Sequence, residues 1–586
     1  MVKDLWIVLG VTMGILEASA FAGGDEANLF DSVASRLKMP QVKTLFNVRG
    51  AYLHCIWTVD GAVTFWGEKE WLAFMRLLKA ANGNIISVFL WPIDRLGQTH
   101  ILYSGDPETQ KPETKRRVEL YRRLISEAHS IRLSFMIGWS VNAATKGIAG
   151  KHPEWKAQGG AELGGEGCLL CPSIPEARRI LLDIYREQAQ LYFEADRFFL
   201  CGLDLGGCQC ERCRPWWKTT ASLVADHQRM LKEIGWKGEL VFITWFFPPE
   251  EIKSMLPLLP KDIVLWVQSH AISVIPEVRK AGFRCWVFPE LDMEPQMEHI
   301  CPLPDEIVGT CRIAVEGGAE GVVGFIITPK LKLENFLCMM LAASDPKVKP
   351  QEALLKSLQA IYGDEEGERL LPIYQALSDA WRYRPDTFVP LRMPFRDIKA
   401  SAEAATKAVS IWRNLKEPEV RFPLLSKTIR YIERTFLWHR PSQEEVKASS
   451  VNLGEPESER DVILAGGWWQ NILEGTDSQG KTMRCRVVSS NSAVYAFLKF
   501  PRRAATIRLV FYDDPNFVAH VSVFVNGQKV GEFMRGVSNL RLWQEITFAV
   551  PEGCLNDDEI QEVRIAATGA PFGISFIGFE EAGERR

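Results

Sequence analysis

The chain has 586 residues, enough for about two to four domains with sizeable cores. At 47% hydrophobic and 24% charged it has a globular composition, which excludes a disordered or fibrous chain. A net charge of −4 offers no basic field for nucleic acid, so no nucleic-acid partner is expected. Tryptophan is over-used, with 19 copies. Most serve cores, but flat rigid rings also suit stacking on sugars.

The N-terminus reads as an export signal over residues 1–22. Lys3 precedes the apolar run "LWIVLGVTMGIL", and small residues follow in "ASAFAGG". The run is short for a membrane span, and no later segment resembles one, so the mature chain is expected to be secreted or periplasmic.

From 40 to 345, short apolar runs alternate with helical patterns. The runs are "VRGAYLHCIWT", "NIISVFLWP", "RLSFMIGWS", "RFFLCGLDLG", "LVFITWFF", "IVLWVQSH", "FRCWVFPEL" and "GVVGFIIT". Segments such as "ETKRRVELYRRLISEAHS" lie between them. Eight runs in this alternation predict a (β/α)8 TIM barrel. A doubly wound sheet is the competitor, but no Gly-rich phosphate turn advertises it.

Residues 346–447 carry helical periodicity with almost no strand signal and predict a helical domain. The stretch 441–461 is polar and reads as a linker. Over 455–582, alternating runs such as "AVYAFLKF" and "TIRLVFYDD" predict a β-sandwich, with a hairpin turn at Asn526–Gln528. The sandwich either binds glycans or braces the helical part.

In a barrel, chemistry collects at the C-terminal ends of the strands. Those ends offer His54 and Trp57, Trp91 and Asp94, Trp139 and Asn142, Asp204, Trp245, His270, and then Glu290 and Asp292. The set combines carboxylates with tryptophans and lacks the clustered His and Asp of a metal hydrolase. Glycoside cleavage needs two flanking carboxyls and surfaces for a pyranose. Asp204 ends a buried strand before two glycines. An acid there is poorly solvated and suited to giving up a proton; its bland alternative is to cap the following turn. Glu290 is the preferred catalytic partner, because among Glu290, Asp292 and Glu294 it lies nearest the strand. The other residues named form the expected sugar-contact set. No catalytic cofactor is expected.

"NVRGAYLH" and "FWGEKEWLAFMRLLKAANGNIISVFLW" resemble the first βαβ unit of family 20 hexosaminidases and their relatives, the α-glucuronidases, α-N-acetylglucosaminidases and family 163 endo-N-acetylglucosaminidases. "CLLCPSIPEARRILLDIYREQ" with "LDLGGCQCERC" resembles the segment before and after strand four in several such barrels. The resemblance spans roughly residues 44–440 and implies a glycoside hydrolase acting on a carbohydrate. Family 20 enzymes carry an adjacent Asp-Glu pair after strand four; here Leu205 follows Asp204. The resemblance therefore implies glycoside hydrolysis without support for acetamido-assisted chemistry. The alternative is a non-catalytic glycan-binding barrel that keeps the aromatics.

Thirteen cysteines are present. Cys201, Cys285 and Cys338 lie in apolar runs and read as buried thiols. Cys208, Cys210 and Cys213 form C-x-C-x-x-C, with Cys168 and Cys171 about 40 residues earlier. A structural zinc, a disulfide and free thiols all remain open for this set, and each would leave it supporting the loop that carries Asp204.

Overall fold

The computed structural model describes residues 24–40, 46–59, 61–94, 96–159, 168–202, 207–292, 296–345, 347–383, 397–436, 445–453, 455–459, 463–465, 472–488, 492–499, 504–513, 518–536, 542–555, 559–569 and 572–581. Its contacts divide into two units, one ending at Leu371 and one beginning at Pro372.

In the first unit all eight apolar runs become parallel strands. They are β1 (Val48–Leu53), β2 (Ile85–Phe89), β3 (Ser134–Ser140), β4 (Arg197–Cys201), β5 (Glu239–Ile243), β6 (Val264–Gln268), β7 (Arg284–Phe288) and β8 (Gly321–Ile326). They close in sequence order, with β8 pairing back onto β1 from Val48↔Gly321 to Leu53↔Ile326. The fold is a (β/α)8 barrel.

An outer layer of helices follows the strands: α1 (Gly24–Arg36), α2 (Glu68–Ala80), α3 (Pro112–Ser130), α4 (Pro175–Leu191), α5 (Trp216–Glu233), α6 (Pro249–Met255), α7 (Ile275–Lys280), α8 (Pro304–Glu316), α9 (Leu333–Ser344) and α10 (Pro350–Tyr362). Helix α3 shows why they form. Pro112 opens it where no amide partner is lost, and Val118, Tyr121, Leu124, Ile125 and Ala128 make one buried stripe. Helix α1, which no strand precedes, inserts Phe30 against Trp66 and Phe74. Helix α10, at the start of the expected helical domain, packs on α8 and α9.

The barrel interior is filled by rings. Tyr52, Phe89, Phe199, Trp266, Trp286, Phe288 and Phe325 share one buried cluster, and glycines make room for them. A Cβ on Gly138 would stand 2.2 Å from the Phe199 ring, and one on Gly321 2.4 Å from Trp286. Ion pairs close the N-terminal end: Arg197 meets Glu239 at 2.8 Å, and Arg284 bridges Glu239 and Glu320. The Arg197 guanidinium lies over the Trp286 ring, 5.6 Å from its centroid.

The second unit joins helices to a sandwich. Helix α11 (Asp364–Tyr383) crosses the division, followed by α12 (Ile398–Arg413) and α13 (Pro423–Thr435). The sandwich strands are β9 (Ser450–Asn452), β10 (Ile463–Ala465), β11 (Ile472–Thr476), β12 (Thr482–Val488), β13 (Ser492–Lys499), β14 (Ala504–Asp513), β15 (Ala519–Val525), β16 (Gln528–Arg535), β17 (Leu542–Ala549), β18 (Ile560–Gly569) and β19 (Phe572–Glu581). One sheet runs β10-β13-β18-β15-β16 and the other β11-β12-β19-β14-β17, with β9 on β19. The hairpin at Asn526–Gly527 takes positive φ at both residues, 47° and 82°, as a tight β-turn requires.

The expected linker is partly built into this unit. Val446 is buried beside Tyr495 and Phe497, while Val451 and Leu453 enter the sandwich core. Single apolar residues in polar surroundings carry no periodicity, which is why the stretch reads as linker. Strand β13 is buried on both faces: Val494, Ala496 and Leu498 face the sandwich core, and Ala493, Tyr495 and Phe497 pack with Ile398 of α12. Asp397 fastens this contact. Its Oδ1 accepts from the Tyr495 hydroxyl at 2.6 Å and from the Lys399 amide at the start of α12, and its Oδ2 pairs with Arg564 at 2.8 Å. Asp397→Ala deprives a half-buried guanidinium and a buried hydroxyl of their carboxylate. Urea unfolding followed within this unit is expected to show a loss of about 3 kcal/mol.

Candidate active site

Side chains alternate along each strand, so alternate residues enter the barrel. On β7 the inward series is Trp286 and Phe288, and it continues to Glu290. On β6 it is Val264, Trp266 and Gln268. Glu290 is therefore delivered to the C-terminal end of the barrel, above a floor of rings, with Gln268 beside it. It is 2% exposed. The Gln268 amide donates to its Oε1 at 2.5 Å, and the Ser269 hydroxyl donates to its Oε2.

The orientation of Gln268 is fixed from behind. The Phe246 backbone N–H donates to Gln268 Oε1 at 3.0 Å, which turns the amide nitrogen toward Glu290. Phe246 adopts φ 55°, costly for an aromatic residue, and is 38% exposed at the end of β5. Burial pushes the Glu290 carboxyl up to about 7, against the two donors, which pull it down.

Aromatic residues surround this acid. His54 stands edge-on to Trp91, with centroids 4.9 Å apart, and 4.8 Å from Phe325. Trp245 packs on Phe288 and Phe325, and Trp57 joins the same cluster half-buried. His54 Nδ1 lies 2.9 Å from the Tyr52 hydroxyl. Burial pushes the His54 ring down to about 3, so it is neutral at pH 7. His270 is farther out, its Nε2 3.3 Å from the Phe247 carbonyl and its ring 6.3 Å from Phe246. The structure thus gathers His54, Trp57, Trp91, Trp245 and Glu290, with His270 at the edge.

Four other expected contacts lie elsewhere. Trp139 is 0% exposed and stacks on Tyr185 of α4 at 5.2 Å. Strand parity turns it outward into the helical layer, while its neighbours Gly138 and Ser140 take the inward side. Asp94 has no capacity left for a sugar. Its Oδ1 accepts from the Leu96 and Gln98 amides, both at 2.9 Å, and its Oδ2 pairs with Arg117 at 3.0 Å and His100 at 3.3 Å. Burial pulls its pKa up, but the His100 and Arg117 partners outweigh it and hold the carboxylate below its ordinary value.

Asp292 is tied down on one side: its Oδ2 accepts from the Ile327 and Thr328 amides and from the Thr328 hydroxyl, joining the β7 loop to the end of β8. Its Oδ1 has no hydrogen-bond partner among the described residues and lies 3.7 Å from Lys332, and burial pulls its pKa above the ordinary value against that cation and the Thr328 donors. Asn142 is buried, donating to the Leu170 carbonyl at 3.2 Å and so pinning the loop after β3. Another high-pKa acid, Glu334, pushed up to about 7 by burial, sits on α9 in the helical layer.

Asp204 and Glu294 fall outside the described residues, as does the expected signal segment. Of the cysteines, Cys208, Cys210 and Cys213 come together with Cys171, and Cys168 is not part of the group. Sequence reasoning passed over Ser269 and Tyr52. The inward parity of β1 leads to Tyr52, whereas Ser269 belongs to the helical turn that follows β6 and breaks its alternation.

A cleft of about 290 Å³ opens on the barrel flank between α2 and α3, lined by Gln98, Glu113, Arg116 and Arg117 among others. Its lining also includes Cys55, just past the end of β1, and His100, in the loop after β2. Among the described residues, no helix is long and apolar enough to cross a membrane.

No family model matches the chain, and no curated protein does. Solved structures give distant likenesses. An O-GlcNAc hydrolase from Thermobaculum terrenum aligns at 13% identity and TM-score 0.44, over 67% of this chain and 84% of that one. A 4-O-methyl-α-glucuronidase with specificity for decorated arabinogalactans aligns at 10% and 0.41, over 92% and 82%. An enzyme targeting pectin rhamnogalacturonan II aligns at 12% and 0.43, over 66% and 70%. At these scores the chemistry of this chain has to be argued from its own residues.

Glu290 fixes a pH dependence of stability. Its folded pKa, about 7, lies above the ordinary 4.5, so folding favours the neutral acid. That stabilisation is complete below about pH 4.5 and is lost as pH climbs through 7, a change of about 3 kcal/mol. Glu290→Gln does not titrate. Paired urea melts should show the variant gaining on the native chain between pH 4.5 and 7, with a constant difference above that range.

Proposed function

We propose that the chain is a glycoside hydrolase cleaving a glycan or polysaccharide at the C-terminal mouth of its barrel. One observation carries the reading. A buried carboxyl with a pKa near neutrality stands at the end of β7, held by Gln268 and Ser269 and bridged to Phe325, a member of the aromatic cluster that Trp57, Trp91 and Trp245 share.

Glycosidic bonds break when an acid protonates the leaving oxygen and a second carboxylate attacks the sugar or activates water. Glu290 fills the acid role, since near pH 7 it is about half protonated and still readily gives up its proton. This exchanges the roles expected from sequence, where Asp204 was favoured as the acid. Asp204 becomes the second carboxylate in this reading, on the evidence of its position after β4. Trp57, Trp91 and Trp245 supply stacking faces for pyranose rings. Neutral His54, with Nδ1 taken by Tyr52, has Nε2 to bond a sugar hydroxyl. Export to the cell exterior or periplasm belongs to the same proposal.

The test is a screen of the purified chain against glycans and aryl glycosides, beside Glu290→Gln and Asp204→Asn. With Glu290 as acid, activity falls as pH rises through about 7, and the variant loses that limb. Its kcat should drop at least about 100-fold on a glycan but under about tenfold on an aryl glycoside whose leaving group needs no proton. Full activity in both variants, or glycan binding with no turnover by the native chain, would refute the assignment.

A further inference from the structure

We infer that Cys171, Cys208, Cys210 and Cys213 form a structural zinc site that clamps two loops on the C-terminal side of the barrel. Their four sulfurs all lie within 4.8 Å of one another. Cys171 belongs to the loop between β3 and α4, and the other three to the loop between β4 and α5. Nearly 40 residues separate Cys171 from Cys208 in the chain, so the fold, not local sequence, brings them together.

The spacing speaks against a disulfide and fits a shared metal. A disulfide puts two sulfurs about 2.05 Å apart, leaving the others unrelated. Here Cys171 Sγ stands 3.7 Å from both Cys210 Sγ and Cys213 Sγ. Four sulfurs gathered this closely from two loops fit around one centre. Zinc bound tetrahedrally to four thiolates at about 2.3 Å imposes sulfur–sulfur edges of about 3.8 Å.

The surroundings suit bound thiolates. The Gln158 backbone N–H donates to Cys208 Sγ at 3.4 Å, and the Ser173 hydroxyl lies 2.9 Å from Cys171 Sγ. Donors of this kind hold ligating sulfurs in place. Between Cys210 and Cys213 the chain makes a tight turn, in which the Cys213 and Arg214 amides both donate to the Cys210 carbonyl. Gly207 leads into the cluster against Trp216, where a Cβ would come within 1.8 Å of the ring. Zinc has no redox chemistry, and four sulfurs leave no open position for water, so the site is structural. The sequence between β4 and α5 that carries three of these cysteines also carries Asp204.

The experiment uses the full chain, produced with zinc in the medium and purified without reductant or chelator. Metal analysis should give about one zinc per chain, with the four thiols shielded from a thiol reagent until the metal is removed. Cys171→Ser and Cys213→Ser should lower zinc at least about tenfold, while Cys168→Ser, three residues from a ligand, keeps it. Should the serine variants fail to fold, cobalt substitution in the native chain serves instead: a tetrahedral tetrathiolate gives intense d–d bands and sulfur-to-cobalt charge transfer. A native chain without zinc overturns the proposal, whether its thiols are free or its mass shows disulfides. So does zinc retained in both ligand variants.

Discussion

Desolvation of one carboxyl organises the first unit. Glu290 is carried inward by the alternation of β7 and set on the rings that fill the barrel. Its charge has no buried cation to meet, only the neutral donors Gln268 and Ser269. At the other end Arg197, Glu239, Arg284 and Glu320 neutralise one another. At the mouth the cations Arg117 and Lys332 are matched to Asp94 and Asp292, so Glu290 is left with neutral donors and stays close to neutral protonation. Phe246 holds a left-handed backbone conformation there and turns Gln268 by donating its own amide.

The kind of donor separates the acids that build from the acid that can react. Asp94 and Asp292 are as buried as Glu290 and also follow barrel strands. Backbone amides engage both of them, with a cation nearby, so they behave as fixed parts of their loops. Glu290 accepts only two side-chain donors, both of which tolerate either protonation state. Its neutral form can turn its proton from Ser269 toward a ligand. Burial alone does not mark a functional carboxyl; Glu290 differs in being held by neutral side-chain donors, where Asp94 and Asp292 are held by backbone amides beside a cation.

Much of this was legible in the sequence. All eight strands follow from apolar runs between helical stripes, and the Asn526–Gly527 turn from its dipeptide. Glu290 was found by its nearness to a strand end. What failed was direction and depth. Trp139 and Trp91 look alike as tryptophans at strand ends, but one residue of parity sends Trp139 against Tyr185 and Trp91 toward His54. Asp94 reads as a rim acid because its partners, His100 and Arg117, lie in later segments whose approach depends on the fold. Cys171 was visible as half of a C-x-x-C pair, yet nothing local says that it joins the later cysteines and Cys168 does not. The polar stretch before the sandwich hid Val446, Val451 and Leu453, because isolated apolar residues have no period.

The two-sided burial of β13 bears on how this chain can be divided. A sandwich following a polar stretch invites treatment as a detachable module, to be cut out near residue 447 and fused elsewhere. Tyr495 and Phe497 would then lose the helix that covers them, and Arg564 would lose the carboxylate of Asp397. The excised piece would show water a sticky aromatic face beside a stranded cation, a surface that invites self-association. The smallest portable piece therefore reaches back into α11, whose Trp381 packs on Tyr431 and Phe436 and whose Ala380 carbonyl accepts from Ser401, and runs from about Pro372 to the end of β19.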